Sequence, residues 1–299
     1  MSIEFHLLAF TKYEDIWLVV FIGLLLMYLI TVSGNLIITA IVFAVPNLHT
    51  PMYFFLCSLA VQDIIYVSAI IPKLLDITLT GQSTMSFQNC ITQSTFYAVC
   101  ILAEFFLLAS MSYDRYVAIC KPLRYLHIMK KEMCALLVLF PWTVASLNSL
   151  AFSIRVSNLQ FNGSQEINHL FCESKSLLMY SCSDTSDLKI FIMLESIVLG
   201  FIPFTLILTS YGYIISAILK IKTSQGRLKT FSTCSSHLTI VILFCGTTIS
   251  FYLSPEGEQF QERNKVISLF YTVLIPMLNP LVYSFRNKDV MTAIKKIFN

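Results

Sequence analysis

Three carboxyl side chains, Asp63, Glu104 and Glu195, fall inside long apolar stretches, and an adjacent acid–base pair, Asp114-Arg115, closes another. A carboxylate in such a setting is costly unless it is paired, protonated or hydrated, so each must face a polar partner or water. Asp63 and Glu104 could share a proton or a cation, because two nearby carboxylates otherwise repel. They could equally form a hydrogen-bonded structural cluster. Asp114-Arg115 reads either as a working ion pair or as two anchors snorkelling to a membrane edge. No residue set organises a covalent reaction. Gly-x-Ser-x-Gly, His-Glu-x-x-His and Cys-x-x-Cys are absent, and the 9 glycines form no phosphate loop.

The elements that must position these groups follow from composition. Of 299 residues, 56% are hydrophobic and only 12% charged, a balance that excludes a soluble globule. Lys plus Arg number 20 and Asp plus Glu 17; the formal net charge of +3 is too slight and scattered for a nucleic-acid binder. Lipids are the implied partner. Hydrocarbon requires every backbone polar group to be satisfied internally, and long unbroken apolar runs select helices over a barrel. The uncharged run from Ile16 to Gln62 covers 47 residues, more than two crossings' worth, and must fold back at Pro46-Asn47-Leu48-His49-Thr50-Pro51. Residues 1–15 lack a basic n-region, so the apolar segment from Ile16 is expected to stay as a membrane helix.

Spans are predicted at 16–43, 52–78, 88–116, 133–154, 188–219, 230–253 and 266–285, giving an all-α membrane protein, a seven-transmembrane helix bundle in a single domain over 1–299. With residues 1–15 and the second, fourth and sixth connections outside, 7 Lys and Arg lie outside and 13 inside, and positive residues favour the cytoplasm. The N-terminus is therefore expected outside and the tail, 286–299, inside. The long second outer connection, about 155–187, is expected to act as a lid. Beyond Asn287, Val290, Met291, Ile294, Ile297 and Phe298 at helical spacing predict a short C-terminal amphipathic helix on the inner leaflet. A transporter would show repeated halves or mirrored helix breaks, but Pro141, Pro203 and Pro276 have no mirrored partners.

The run Met111-Ser112-Tyr113-Asp114-Arg115-Tyr116-Val117-Ala118-Ile119-Cys120, followed by Lys121-Pro122-Leu123, closely resembles the third-helix signature of olfactory receptors, within the rhodopsin-like G-protein-coupled receptors. Gly34-Asn35, Leu48-His49-Thr50-Pro51-Met52-Tyr53, Lys229-Thr230-Phe231-Ser232-Thr233-Cys234 and Pro276-Met277-Leu278-Asn279-Pro280-Leu281-Val282-Tyr283 extend the likeness, in family order, over nearly the whole chain.

The resemblance implies an odorant receptor of the plasma membrane, not an enzyme, that binds a small volatile or lipophilic ligand and activates a stimulatory olfactory heterotrimeric G protein, raising cAMP. It implies a cavity lined by Tyr97, Ala98, Ile101, Leu102 and Phe105 from the third helix and Glu195 and Leu199 from the fifth. Cys245, Thr248, Ile249 and Tyr252 would join from the sixth helix, and Leu269 and Thr272 from the seventh. Activation and coupling would fall to Asp114, Arg115, Tyr116, Tyr211, His237, Asn279, Pro280 and Tyr283. His237 reads as a packing histidine rather than a proton switch. The family also places Asp63 and Glu104 beside Asn35 and Asn279 in a pocket that can hold a sodium ion; no other cofactor is implied. Cys90 is expected to pair with Cys172, tying the lid to the bundle.

Three positions depart from the family pattern. Glu195 replaces an apolar residue at ligand depth, where it either meets a polar or amine ligand or is neutralised by a neighbour or by water. Cys245 replaces a usual Tyr. Asn162 stands where a cysteine would pair with Cys182, and it opens the sequon Asn162-Gly163-Ser164, a candidate glycosylation site.

Overall fold

The computed structural model describes residues 4–10, 15–161, 165–252, 258–285 and 290–292. Among them, 7 helices are long and apolar enough to cross a membrane. They are α1 (Trp17–Ala44), α2 (Pro51–Thr80), α3 (Phe87–Cys120), α4 (Lys131–Ser157), α5 (Ser186–Leu219), α6 (Ser224–Tyr252) and α7, which runs Glu258–Leu269, Phe270–Leu274 and Ile275–Phe285. Two wider, π-helical turns interrupt α5 at Ser196–Phe201 and α7 at Phe270–Leu274.

These segments are helical because their backbone groups can then pair within the segment, and their hydroxyls do the same. Thr31, Ser112, Thr143 and Ser153 each donate to the carbonyl four residues earlier, at 2.7, 2.9, 2.8 and 2.8 Å. The outward faces remain apolar: Val19, Phe43, Leu139, Phe201 and Ile242 are all exposed, as lipid-solvated helices require. α6 and α7 begin several residues before the apolar spans read from sequence. Their first turns are rich in Gln, Glu, Arg and Lys, good helix formers that extend the backbone ladder past the hydrocarbon.

The central helix is α3, whose apolar window is 72% buried against 11% for α1. It packs on α2, α4, α5 and α6. Ala145, Ser149 and Ser153, buried at four-residue spacing on α4, let that helix approach closely; Thr95 and Ser153 hydroxyls meet at 2.5 Å. Trp142 Nε1 donates to Ser58 Oγ at 3.1 Å, joining α4 to α2. α1 meets α7 where Gly34 faces Pro280: a Cβ on Gly34 would lie 3.1 Å from Pro280 Cγ.

One end of the bundle carries something the all-α reading lacks, a three-stranded sheet in the order β2-β1-β3. β1 (Glu4–Leu7) pairs antiparallel with β2 (Thr84–Ser86) and parallel with β3 (Gln165–Ile167). Phe5 and Leu7 are buried beneath it, Phe5 edge-on to Phe161 at 5.4 Å. Each strand is too short to show a period in sequence, and the partners come from three separate segments. Lys265 of α7 donates to the Ala9 carbonyl at 2.9 Å, fastening β1's exit to the bundle.

Of the tail, Val290, Met291 and Thr292 are described and Val290 is buried. The remainder of the amphipathic helix expected there lies outside the described residues, as does Asn162.

Candidate ligand cavity and polar core

Below the sheet lies a cavity of ≈ 450 Å³. From α3 it is lined by Tyr97, Ala98, Ile101, Leu102 and Phe105, from α5 by Glu195, and from α6 by Thr248 and Ile249. All of these are residues the sequence singles out. α5 also contributes Ile192, Ser196, Gly200, Phe201 and Phe204, α4 Ser149 and Phe152, and the lid Glu173 and Ser174.

Leu199, Cys245, Leu269 and Thr272 do not line it. The π turn explains the first: five residues per step carry the cavity face from Glu195 to Gly200 and from Ser196 to Phe201, bypassing Leu199. On α7, Tyr271 Oη meets Tyr97 Oη at 3.2 Å, and its ring packs on Phe251 at 5.5 Å. That partition keeps Leu269 and Thr272 away from the cavity, and Thr272 turns its hydroxyl to the Ser268 carbonyl at 2.6 Å. Cys245 is buried off the wall, and the Tyr252 side chain lies outside the described residues. The α4 lining escaped the sequence reading, although the small residues at 145, 149 and 153 mark the face that meets α3.

The lid is built as a roof. Cys90 and Cys172 form a disulfide with Cα atoms 5.4 Å apart. The Cys172 amide donates to Gln93 Oε1 at 2.9 Å, and Gln93 Nε2 donates to the Ala69 carbonyl at 3.0 Å, so one side chain ties the lid to both α3 and α2. Phe171 packs on Tyr97 at 4.8 Å. His169 is buried against Phe171, and burial pushes its pKa down to about 4, leaving it neutral at pH 7. Cys182 is exposed and free.

The cavity wall is apolar apart from a few hydroxyls and the two carboxyl groups. The Ser149 and Thr248 hydroxyls are buried without a hydrogen-bond partner. Such groups, facing an apolar cavity, are what orient a small ligand.

Deeper in the bundle, Asn279 Nδ2 donates to both oxygens of Asp63, at 2.9 and 3.2 Å, and Gln62 Nε2 donates to Glu104 Oε2 at 3.1 Å. Asp63, Glu104, Gln62 and Asn279 are all buried. Asn35 bonds the Thr31 and Pro276 carbonyls at 3.0 and 3.3 Å, holding α1 to α7 rather than touching the carboxylates directly.

At the end opposite the sheet, Arg115 folds onto its neighbour, donating from Nε and Nη2 to Asp114 Oδ2 at 3.0 and 2.5 Å. Tyr125 Oη donates to Asp114 Oδ1 at 2.7 Å. Asp114 is fully buried, so this pair is more than a surface anchor. The Tyr116 ring packs at a tilt against that of Tyr213, with centroids 5.6 Å apart, and Tyr211 Oη shares a 2.6 Å hydrogen bond with His237 Nδ1. Tyr283 is buried, and Pro280 fills the contact with Gly34.

A multi-pass helical membrane protein with an apolar cavity near one end and a restrained Asp-Arg pair at the other has the architecture of a membrane receptor. A family model described as Olfactory receptor matches residues 24–299. Olfactory receptor 5AR1 of Mus musculus is 44% identical over 299 residues, covering 98% of this chain and 95% of the mouse protein. Its namesake from Homo sapiens is 42% identical over 302 residues, covering 99% and 96%, and olfactory receptor 5M10 of Homo sapiens is 44% identical over 297, covering 98% and 93%. The chain belongs to the olfactory receptor family.

Proposed function

We propose that this receptor takes a small volatile or lipophilic odorant into the cavity between α3, α4, α5 and α6 and relays its presence to a stimulatory olfactory G protein, raising cAMP. The observation that carries the reading is that α6 belongs to both sites: Thr248 and Ile249 line the cavity, while His237, three helical turns away, bonds Tyr211 near Arg115. A ligand that favours a displaced α6 therefore alters the surface beside Asp114-Arg115 without any covalent step. The sheet end would face outside the plasma membrane, on the strength of the uneven Lys and Arg distribution, with a glycan at Asn162 and the basic inner loops against anionic lipid.

The polar core fits a bound sodium ion. Glu104 Oε1, Gln62 Oε1 and Asn279 Oδ1 are buried oxygens without hydrogen-bond partners, an all-oxygen donor set around two carboxylates. Asp63, Glu104, Gln62 and Asn279 would hold the ion, which would neutralise the carboxylates in the resting state. An odorant panel on cells reporting cAMP tests the receptor reading: ligand-dependent cAMP supports it, and ligand binding with no G-protein response at normal surface level contradicts it.

A further inference from the structure

The cavity's polarity is one-sided. Among the described residues, its wall contains two carboxyl groups, Glu173 from the lid and Glu195 from α5, and no Lys, Arg or His. Among the described residues, two basic side chains toward that end are engaged elsewhere: Arg155 lies over the Phe191 ring at 4.5 Å and donates to the Ala151 carbonyl, and Lys265 holds the Ala9 carbonyl and Glu262. Aromatic side chains supply much of the remaining lining, among them Tyr97, Phe105 and Phe204. A ring face attracts a cation and does nothing for an anion.

Glu195 is half-buried on the last turn before the π segment, where the helix widens and Gly200 leaves open space one step further along the wall. Asn148 of α4 lies next to the carboxylate. The carboxyl group is thus flanked on one side by an amide and lines the cavity on the other.

The geometry points to a ligand class: the cavity selects small hydrophobic amines, whose ammonium group pairs with Glu195 while the hydrocarbon part packs among the α3 and α5 aromatics. This rests on the receptor reading for its biological meaning, but the binding claim stands apart from signalling. A charge-assisted hydrogen bond in a water-poor site is the strong kind, and a neutral isostere of the same shape forfeits it. A carboxylic acid of the same skeleton meets a like charge at Glu195 and is disfavoured.

The test is direct binding to the full chain purified in lipid nanodiscs, using 2-phenylethylamine, 2-phenylethanol and phenylacetic acid as matched probes, with cAMP measured in parallel in cells. The amine is expected to bind at least about tenfold more tightly than the alcohol, with the acid weakest, and Glu195→Gln is expected to remove the amine's advantage over the alcohol. Glu195→Asp, which keeps the charge, is expected to retain part of it and guards against a misfolded Gln variant. Equal or better binding of the alcohol or acid, an amine preference that survives Glu195→Gln, or no binding of the amine at millimolar concentration would overturn the assignment. Amine binding without cAMP would leave the ligand class standing and contradict the receptor reading instead.

Discussion

Tyr211 on α5 and His237 on α6 are joined by a 2.6 Å hydrogen bond between Oη and Nδ1, with their rings 11° from parallel. Both side chains are buried, so the bond fastens α6 to α5 near Arg115. Removing it with Tyr211→Phe should cost the packed arrangement about 1 kcal/mol, enough to shift the α6 equilibrium about fivefold toward displacement. Ligand-free cAMP at matched surface level should rise accordingly; a fall would show that the bond belongs to the displaced state.

Arg115→Ala should leave probe binding in the cavity unchanged and reduce ligand-dependent cAMP by at least roughly tenfold, because the side chain lies at the opposite end from the cavity wall. Undiminished cAMP at normal surface level would remove Arg115 from the coupling surface.

Gly200 lines the cavity, and a Cβ built there meets nothing within 4 Å. Gly200→Phe should therefore fill the space instead of straining the backbone. Thermal stability should stay equal or rise, while binding of every probe is lost. A stability loss of several kcal/mol would mean the open volume is not tolerant of a side chain.

The seven helices were legible because hydrocarbon leaves so few options: a segment such as 16–43 or 133–154 must be helical to satisfy its own backbone. The intramembrane carboxylates were legible for the same reason, and Asp63 and Glu104 do face buried amides. What stayed hidden depends on packing between distant segments. A π turn at Ser196–Phe201 is one extra residue in a register, and it exchanges Leu199 for Gly200 on the cavity wall. The Tyr97–Tyr271 contact spans 174 positions, and nothing local at Leu269 or Thr272 announces that they lie behind it. The β1 strand finds partners more than 75 residues away, with no repeat to signal the pairing.

His169 gives the lid a pH dependence with a definite sign. Its folded pKa of about 4 lies below the ordinary histidine value, so between the two the unfolded chain binds more protons than the folded one. The neutral ring's contribution is intact at neutral pH and is lost as pH falls from about 6.5 toward 4, with a slope approaching about 1.4 kcal/mol per unit. Thermal stability of the purified protein should decline across that window, and His169→Gln should flatten the decline relative to the native protein. Parallel profiles would assign the acid sensitivity to other groups.

Sodium should oppose activation through the polar core. Raising sodium at constant ionic strength should shift the ligand response to higher concentration, and Glu104→Gln, which removes one of the two buried carboxylates, should abolish that shift. Sodium-insensitive responses with Asp63 and Glu104 both intact would identify the cluster as structural hydrogen bonding alone.

The central claim is that filling the cavity moves the far end of α6. Spin labels at the exposed positions Leu126, between α3 and α4, and Leu228, near the start of α6, report that distance in nanodiscs. A bound ligand should widen the distance by several ångström, and Gly200→Phe, which excludes the ligand, should remove the ligand-dependent change. An unchanged distance distribution at saturating occupancy would contradict the claim.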